Sequence, residues 1–249
     1  CYQRADTLDL ARQGGVGIGR FQSLLADFDK PLYETIKGFH NIRHRFAQCD
    51  AAVAADAAGR VAELTEEIGW IASRREQMLA FWSLVEDGTI PTHVTHNDTK
   101  ISNILFDKPT GKVLCAIDLD TVMPGSSLYD LGDSIRSGAT SAAEDEPDLD
   151  KVHFLPEMFK VYARGFIKGC GGALTEKEIA MLPDGGYMLT LEQAIRFLTD
   201  YLDGDNYFRI HYPAQNLDRT RTQFKLVADM NRKWDEMMKI IREETPRLH

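Results

Sequence analysis

The sequence predicts an α+β fold that is mostly helical, with a small β-hairpin insert, and three observations predict it. From Arg60 to Glu86 apolar residues recur at three- and four-residue spacing (Val61, Leu64, Ile68, Ile71, Met78, Phe81, Trp82, Val85), the pattern of an amphipathic helix. Past Gly88 the composition changes to short runs suited to a pleated surface: "THVTH", "NILF" and "KVLCAIDL". Helical patterning then returns from Val152 onward.

Taken in order, "FQSLLADF" (Phe21 to Phe28) has helical spacing and meets a breaker at Pro31. The glycine-rich "GGVGIG" before it, Gly14 to Gly19, looks like a helix break or linker. Arg60 to Glu86 is expected as one helix closed by Gly88. The turn "DKPTGK", with Pro109 and Gly111, joins Ile104–Phe106 and Val113–Ile117 into a hairpin. "MPGSS" and the acidic "EDEPDLD" then read as loop, the latter as a solvated segment. Helices are expected over Val152–Lys168, after a Thr175-x-x-Glu178 capping box, and over Leu191–Leu202 and Phe224–Ile241. Trp70, Trp82 and Trp234 fall on helical stripes and should pack.

With 249 residues, 43% hydrophobic and 27% charged, the chain has the material for one soluble domain and no run of eighteen apolar residues for a membrane span. A net charge of -9 argues against a nucleic-acid or anionic-membrane surface, which needs clustered Lys and Arg. Cys1, Cys49, Cys115 and Cys170 form no C-x-x-C pair, so they read as free thiols in a reducing, cytoplasmic setting.

The chemistry concentrates around the β insert. In "HNDTKISN", His96, Asp98 and Asn103 fall into the register of the protein-kinase catalytic loop H-R-D-L-x-x-x-N. "IDLDT" places Asp118 twenty residues beyond Asp98, where the metal-holding Asp of such a site stands. Asp98 could accept a hydroxyl proton, Lys100 offset charge on a phosphoryl group, and Asn103 with Asp118 offer hard oxygens to Mg²⁺. Each piece alone reads more readily as a turn or a solvated strand end than as chemistry; the joint pattern gives it weight.

His96–Asn103, "AIDLDTVMPG" (Ala116–Gly125) and "YDLGD" (Tyr129–Asp133) resemble the aminoglycoside-phosphotransferase-like kinase superfamily. The resemblance is nearest to its N-acetylhexosamine 1-kinase branch, and "FQSLLADF", "ETIKGFHNIRHRF" and "RFLTDYLDGDNYF" extend it over most of the chain. It implies the carboxyl-terminal lobe of a protein-kinase-like fold, and transfer of the γ-phosphoryl group of ATP, with Mg²⁺, to the anomeric hydroxyl of a small-molecule sugar. It further implies Asp98 as base, Asn103 and Asp118 as metal ligands, and Asp130 as the acid that braces the catalytic loop. His96 is then a loop-packing residue, and Arg196 and Tyr207 contact the sugar. On spacing alone, Arg196 could equally be a surface ion-pair residue, since Glu192, Arg196 and Asp200 stand at i, i+4 on one helix. Arg43, His40 and His44 read as a basic corner or, more simply, a solvated helix face.

Neither a glycine-rich loop over the phosphates nor a strand lysine to pair with them is found. The expectation is a carboxyl-terminal lobe spanning 1–249 whose nucleotide lobe is absent, which binds nucleotide weakly, turns over slowly or not at all by itself, and has an open face through which copies would self-associate. Two other functions remain open at this level. One is a kinase of the same superfamily for an aminoglycoside or small amino alcohol; the other is a binding module with no catalysis.

Overall fold

The computed structural model describes residues 2–245; Cys1, expected as a free thiol, lies outside them. In chain order come α1 (Leu8–Leu24), α2 (Ile42–Ala55), α3 (Thr65–Ala72), α4 (Arg75–Glu86), β1 (His93–Thr95), β2 (Ile104–Phe106), β3 (Val113–Ala116) and β4 (Met123–Gly125). The second half follows as α5 (Ser127–Gly138), α6 (Pro156–Cys170), α7 (Glu176–Ala180), α8 (Leu182–Leu202), α9 (Gln215–Arg232) and α10 (Trp234–Glu244). The mostly helical fold with small antiparallel sheets is as the sequence predicts. No helix of the described residues is long and apolar enough to cross a membrane.

Helix α1 starts where Thr7 Oγ1 accepts the Leu10 N–H, and it then runs through "GGVGIG" without a break. The linker expectation is wrong there because the glycines serve packing. A Cβ on Gly15 would sit 2.9 Å from Phe166 N, and one on Gly169 would sit 2.6 Å from Val16 O. Only hydrogen fits between α1 and α6, so their backbones approach each other directly and make the most extensive helix contact among the described residues.

The expected helix over Arg60–Glu86 is two helices, α3 and α4, preceded by a 3₁₀ turn at Val61–Glu63. Ser73 Oγ and Arg74 Nη1 both donate to the Trp70 carbonyl, at 2.7 and 2.8 Å, and the Arg74 amide turns to Ile71 instead. Both helices still bury one face, through Ile71, Met78 and Phe81, which is why the apolar period survives the break. Likewise Phe224–Ile241 divides at Lys233 into α9 and α10; its amide bonds back to Asp229 and Met230, and its Nζ to Phe154 O at 2.6 Å. The helix expected from Val152 starts at Pro156, because Phe154 forms an isolated β-bridge with Thr140.

Other local expectations hold. The Thr175–Glu178 capping box makes both of its bonds. The hairpin pairs Ile104 with Ala116 and Leu105 with Cys115, and slips before Phe106 pairs with Val113. Trp70 stacks on Phe224 at 3.9 Å and Trp234 meets Tyr187 edge-on. Cys49, Cys115 and Cys170 are free thiols. Strand β4, expected as loop, pairs antiparallel with β1. "EDEPDLD" is also tied down more than a solvated loop would be: Glu144 bonds Arg136 at 2.5 Å and Asp145 accepts from Gln215 at 2.7 Å.

Candidate active site

The segment His96–Asn103 leaves the buried end of β1 and reaches β2 through a 3₁₀ turn at Ile101–Asn103. Asp130, fully buried on α5, holds its start: its carboxylate accepts from His96 N at 3.0 Å, Asn97 N at 2.8 Å and Gln22 Nε2 at 2.5 Å. One helical turn on, Asp133 accepts the Thr99 amide at 2.8 Å and receives Arg136 through Nε and Nη2 at 3.1 and 2.9 Å. Asn97 takes a left-handed backbone at φ 65°, which turns the chain immediately before Asp98. Asp130 thus holds the backbone of residues 96 and 97 from α5. Asp133, unassigned from sequence, shares the work, and the i, i+3 spacing inside "YDLGD" was the available signal.

His96 is a packed residue. Its Nε2–H donates to the Ile117 carbonyl at 2.9 Å and its Nδ1 accepts the Asp98 amide at 3.3 Å. That bond also sets the place of Asp118. Ile117 is clamped between His96 and the Asn103 carbonyl, which accepts the Ile117 amide at 2.9 Å. The next residue, Asp118, is exposed and held in left-handed backbone at φ 63°. Strain of this kind in a residue with a side chain gathers at functional sites. Asn103 Nδ2 donates to the Asp98 carbonyl at 2.9 Å, so its amide oxygen is the end suited to a ligand. One carboxylate and one amide oxygen on adjoining segments fit Mg²⁺, which takes few protein oxygens and completes its shell with phosphates and water. Among the described residues no group of three His, Cys, Asp or Glu side chains is placed to hold a metal.

Lys100 Nζ lies 3.1 Å from Asp98 Oδ1. Burial and the nearby charge of Asp133 push the Asp98 carboxyl above its usual range, and Lys100 and Asn103 only partly oppose them. A carboxylate raised this way is a better proton acceptor. Asp133 goes the other way: burial would raise it, but Arg136 and Lys100 outweigh burial and hold it low.

Asp98 and Lys100 line a cleft of about 240 Å³ together with Phe39, Arg136, Gln193, Arg196 and Tyr207. The sequence-predicted residues at 98 and 196, nearly a hundred apart, therefore face one space. Arg196 is buried rather than a surface ion-pair residue: Nη1 donates to Gln193 at 2.5 Å, and the guanidinium lies over Phe39, Phe208 and Tyr207 at 4.8, 5.5 and 5.9 Å. Asp200 is committed elsewhere, accepting the amides of Tyr207 and Phe208 at 2.7 and 2.9 Å. It thereby shapes the loop that presents the 65% exposed Tyr207 side chain. The basic corner at 40–44 is also dispersed: Arg43 pairs outward with Glu86, whereas His40 turns inward to Glu192.

The family model described as "Phosphotransferase enzyme family" matches residues 3–163. Among solved structures, the fold is similar to choline kinase from Cryptosporidium parvum Iowa II, with a TM-score of 0.52 and 12% identity over 98% of this chain and 72% of that one. At that identity the likeness is one of fold.

Proposed function

This chain belongs to the phosphotransferase enzyme family, and from that premise we propose that it serves the transfer of the ATP γ-phosphoryl group to the anomeric hydroxyl of an N-acetylhexosamine. The observation that carries the choice of acceptor is the seat of Arg196. A quaternary or primary ammonium is usually received on aromatic faces. Here the faces beside Asp98 already carry a guanidinium. Lys100 and Arg136 add two more cations against the carboxylates of Asp98 and Asp133, so the cleft disfavours a cationic amino alcohol or aminoglycoside. A neutral sugar offers hydroxyl and acetamido oxygens, which a fixed guanidinium and the Gln193 amide can bond.

In this reading Asp98 orients the acceptor hydroxyl and takes its proton, and Lys100 offsets charge on the group in flight. Asn103 and Asp118 would hold Mg²⁺, which supplies charge neutralisation at the phosphates when bound. A cytoplasmic setting, where ATP and free thiols coexist, goes with it.

Calorimetric titration of the chain with N-acetylglucosamine, N-acetylgalactosamine, choline and an aminoglycoside, followed by ADP release with ATP and Mg²⁺, tests the acceptor class. The sugars should bind, and Arg196→Ala should weaken them at least tenfold. Choline or an aminoglycoside binding where the sugars do not would overturn the assignment.

A further inference from the structure

His40 has no place in the chemistry above, yet it lies between two parts of the site. It sits just before α2 and its ring stacks on Tyr129 of α5, centroids 5.1 Å apart. Nδ1 is 2.9 Å from Glu192 Oε1 and Nε2 is 3.2 Å from the Asn97 carbonyl oxygen. A carbonyl oxygen accepts only, and so does an ionised carboxylate, whereas a neutral imidazole has one donor and one acceptor nitrogen. With Glu192 ionised, a neutral ring would set a lone pair against an oxygen at one end.

The surroundings decide where the proton resides. Glu192 is fully buried on α8, with Arg45 Nε of α2 at 3.8 Å from Oε1. Burial would raise its carboxyl, but His40, Arg45 and Arg196 outweigh burial and hold it below the usual range. Burial and the Arg196 guanidinium in turn pull Arg45 down to about 10, still charged at neutral pH. From α5 the ring meets the Tyr129 hydroxyl side chain and the attraction of Asp133, and Asp98 and Lys100 line the same cleft. Both ring nitrogens face oxygens that accept, so the ring is the group placed to donate to each.

We propose that His40 is a buried imidazolium and a positioning residue, its two N–H groups tying the Glu192 carboxylate to the Asn97 carbonyl and so fixing the turn that presents Asp98. The charge state stands on this geometry alone; the positioning role rests on the phosphotransferase reading. The bond explains how Asn97 keeps its left-handed backbone: the amide is held by Asp130 and the carbonyl by His40.

Nitrogen-15 NMR of the labelled full chain, without substrate, reads the ring directly. At pH 7 both His40 nitrogens should resonate as protonated; one bare nitrogen would overturn the proposal. In Glu192→Gln, a near-isosteric change, the ring should become neutral at pH 7, and a ring still doubly protonated would refute Glu192 as its counter-charge. His40→Gln should move the Asn97 and Asp98 amide resonances and lower kcat about tenfold with nucleotide KM unchanged. Unmoved amides, or an unchanged kcat, would remove the positioning role. Failure of the chain to bind any of the sugars would count against the proposed function, while the ring spectrum would still decide the charge.

Discussion

Two glycine-to-alanine substitutions should act with opposite signs, and the α1–α6 contact sets the difference. Gly69 lies on the exposed side of α3, where an added Cβ meets nothing within 4 Å. Gly69→Ala should therefore gain most of the helix propensity difference, about 0.5–1 kcal/mol. Gly15 has the same propensity to gain but no room. Its Cβ would stand 2.9 Å from Phe166 N and 3.1 Å from Tyr162 C, and nearer still to the Tyr162 carbonyl oxygen, where ordinary contact begins at 3.4 Å. The obstacles are backbone atoms of a helix, which cannot rotate away, so α1 and α6 must separate along their whole contact. Overpacking of this kind costs about 1–3 kcal/mol even where side chains can adjust. Less the propensity gain, that scale gives a loss of about 0–2.5 kcal/mol, and the rigid backbone on both sides puts Gly15→Ala at its upper end, about 2 kcal/mol. Urea denaturation followed by circular dichroism measures both: Gly69→Ala should raise the midpoint and Gly15→Ala lower it, with the slope unchanged. A Gly15→Ala midpoint at or above the parent value would refute the close-contact account of α1.

Asp98→Asn should lower phosphoryl transfer by about 10²–10⁴-fold while leaving thermal stability unchanged or slightly raised, since burial disfavours the charge it removes; unaltered turnover would take Asp98 out of the mechanism. Asp130→Ala strands three buried donors, His96 N, Asn97 N and Gln22 Nε2. At about 1–3 kcal/mol each, the loss in urea denaturation should reach about 3 kcal/mol at least, and a loss under 1 kcal/mol would deny the brace. Asp229 is held below its usual range because Lys233, the Phe154 amide and Arg232 outweigh burial. The sign follows from a depressed acid: its stabilisation is present above the unfolded pKa of about 3.9 and is lost as pH falls through the lower folded value. The melting-temperature gap between wild type and Asp229→Asn should therefore narrow below about pH 4, and a gap constant with pH would contradict the shift.

Much of the fold was legible because burial writes itself as period. The stripes at 61–85 and 224–241 did mark buried faces. What period cannot show is where a helix stops and another starts on the same face: at Ser73–Arg74 two side chains take the Trp70 carbonyl, and at Lys233 the ammonium reaches the Phe154 carbonyl of a distant segment. Glycine misled for a different reason. Local propensity reads "GGVGIG" as a break, and the partner that reverses that reading, Gly165 and Gly169 of α6, lies 150 residues away. The same holds in α8, whose first turns carry Pro183, Gly185 and Gly186. Proline is tolerated at the helix start, and a Cβ on Gly185 would stand 3.0 Å from Leu128 C of α5.

In the site, legibility divides between loop chemistry and the residues that hold it. Asp98, Lys100 and Asn103 stand on one contiguous segment, so their spacing carries the information; Asp118 is joined to them by two backbone bonds of Ile117. The supports come from four separate stretches: Gln22, His40, Asp130 with Asp133 and Arg136 on α5, and Glu192. Within α5 the i, i+3 spacing links Asp130, Asp133 and Arg136, but no spacing rule links the four stretches, since each is fixed by where its segment crosses the loop. Yet they share one physical demand. A turn with a left-handed residue at Asn97, next to a carboxylate kept above its usual range, is costly in free energy and persists only if its amides and carbonyls are held from several sides. The buried polar residues of α5 and α8 meet that demand, which is why the helices richest in buried charge are the two that face Asp98.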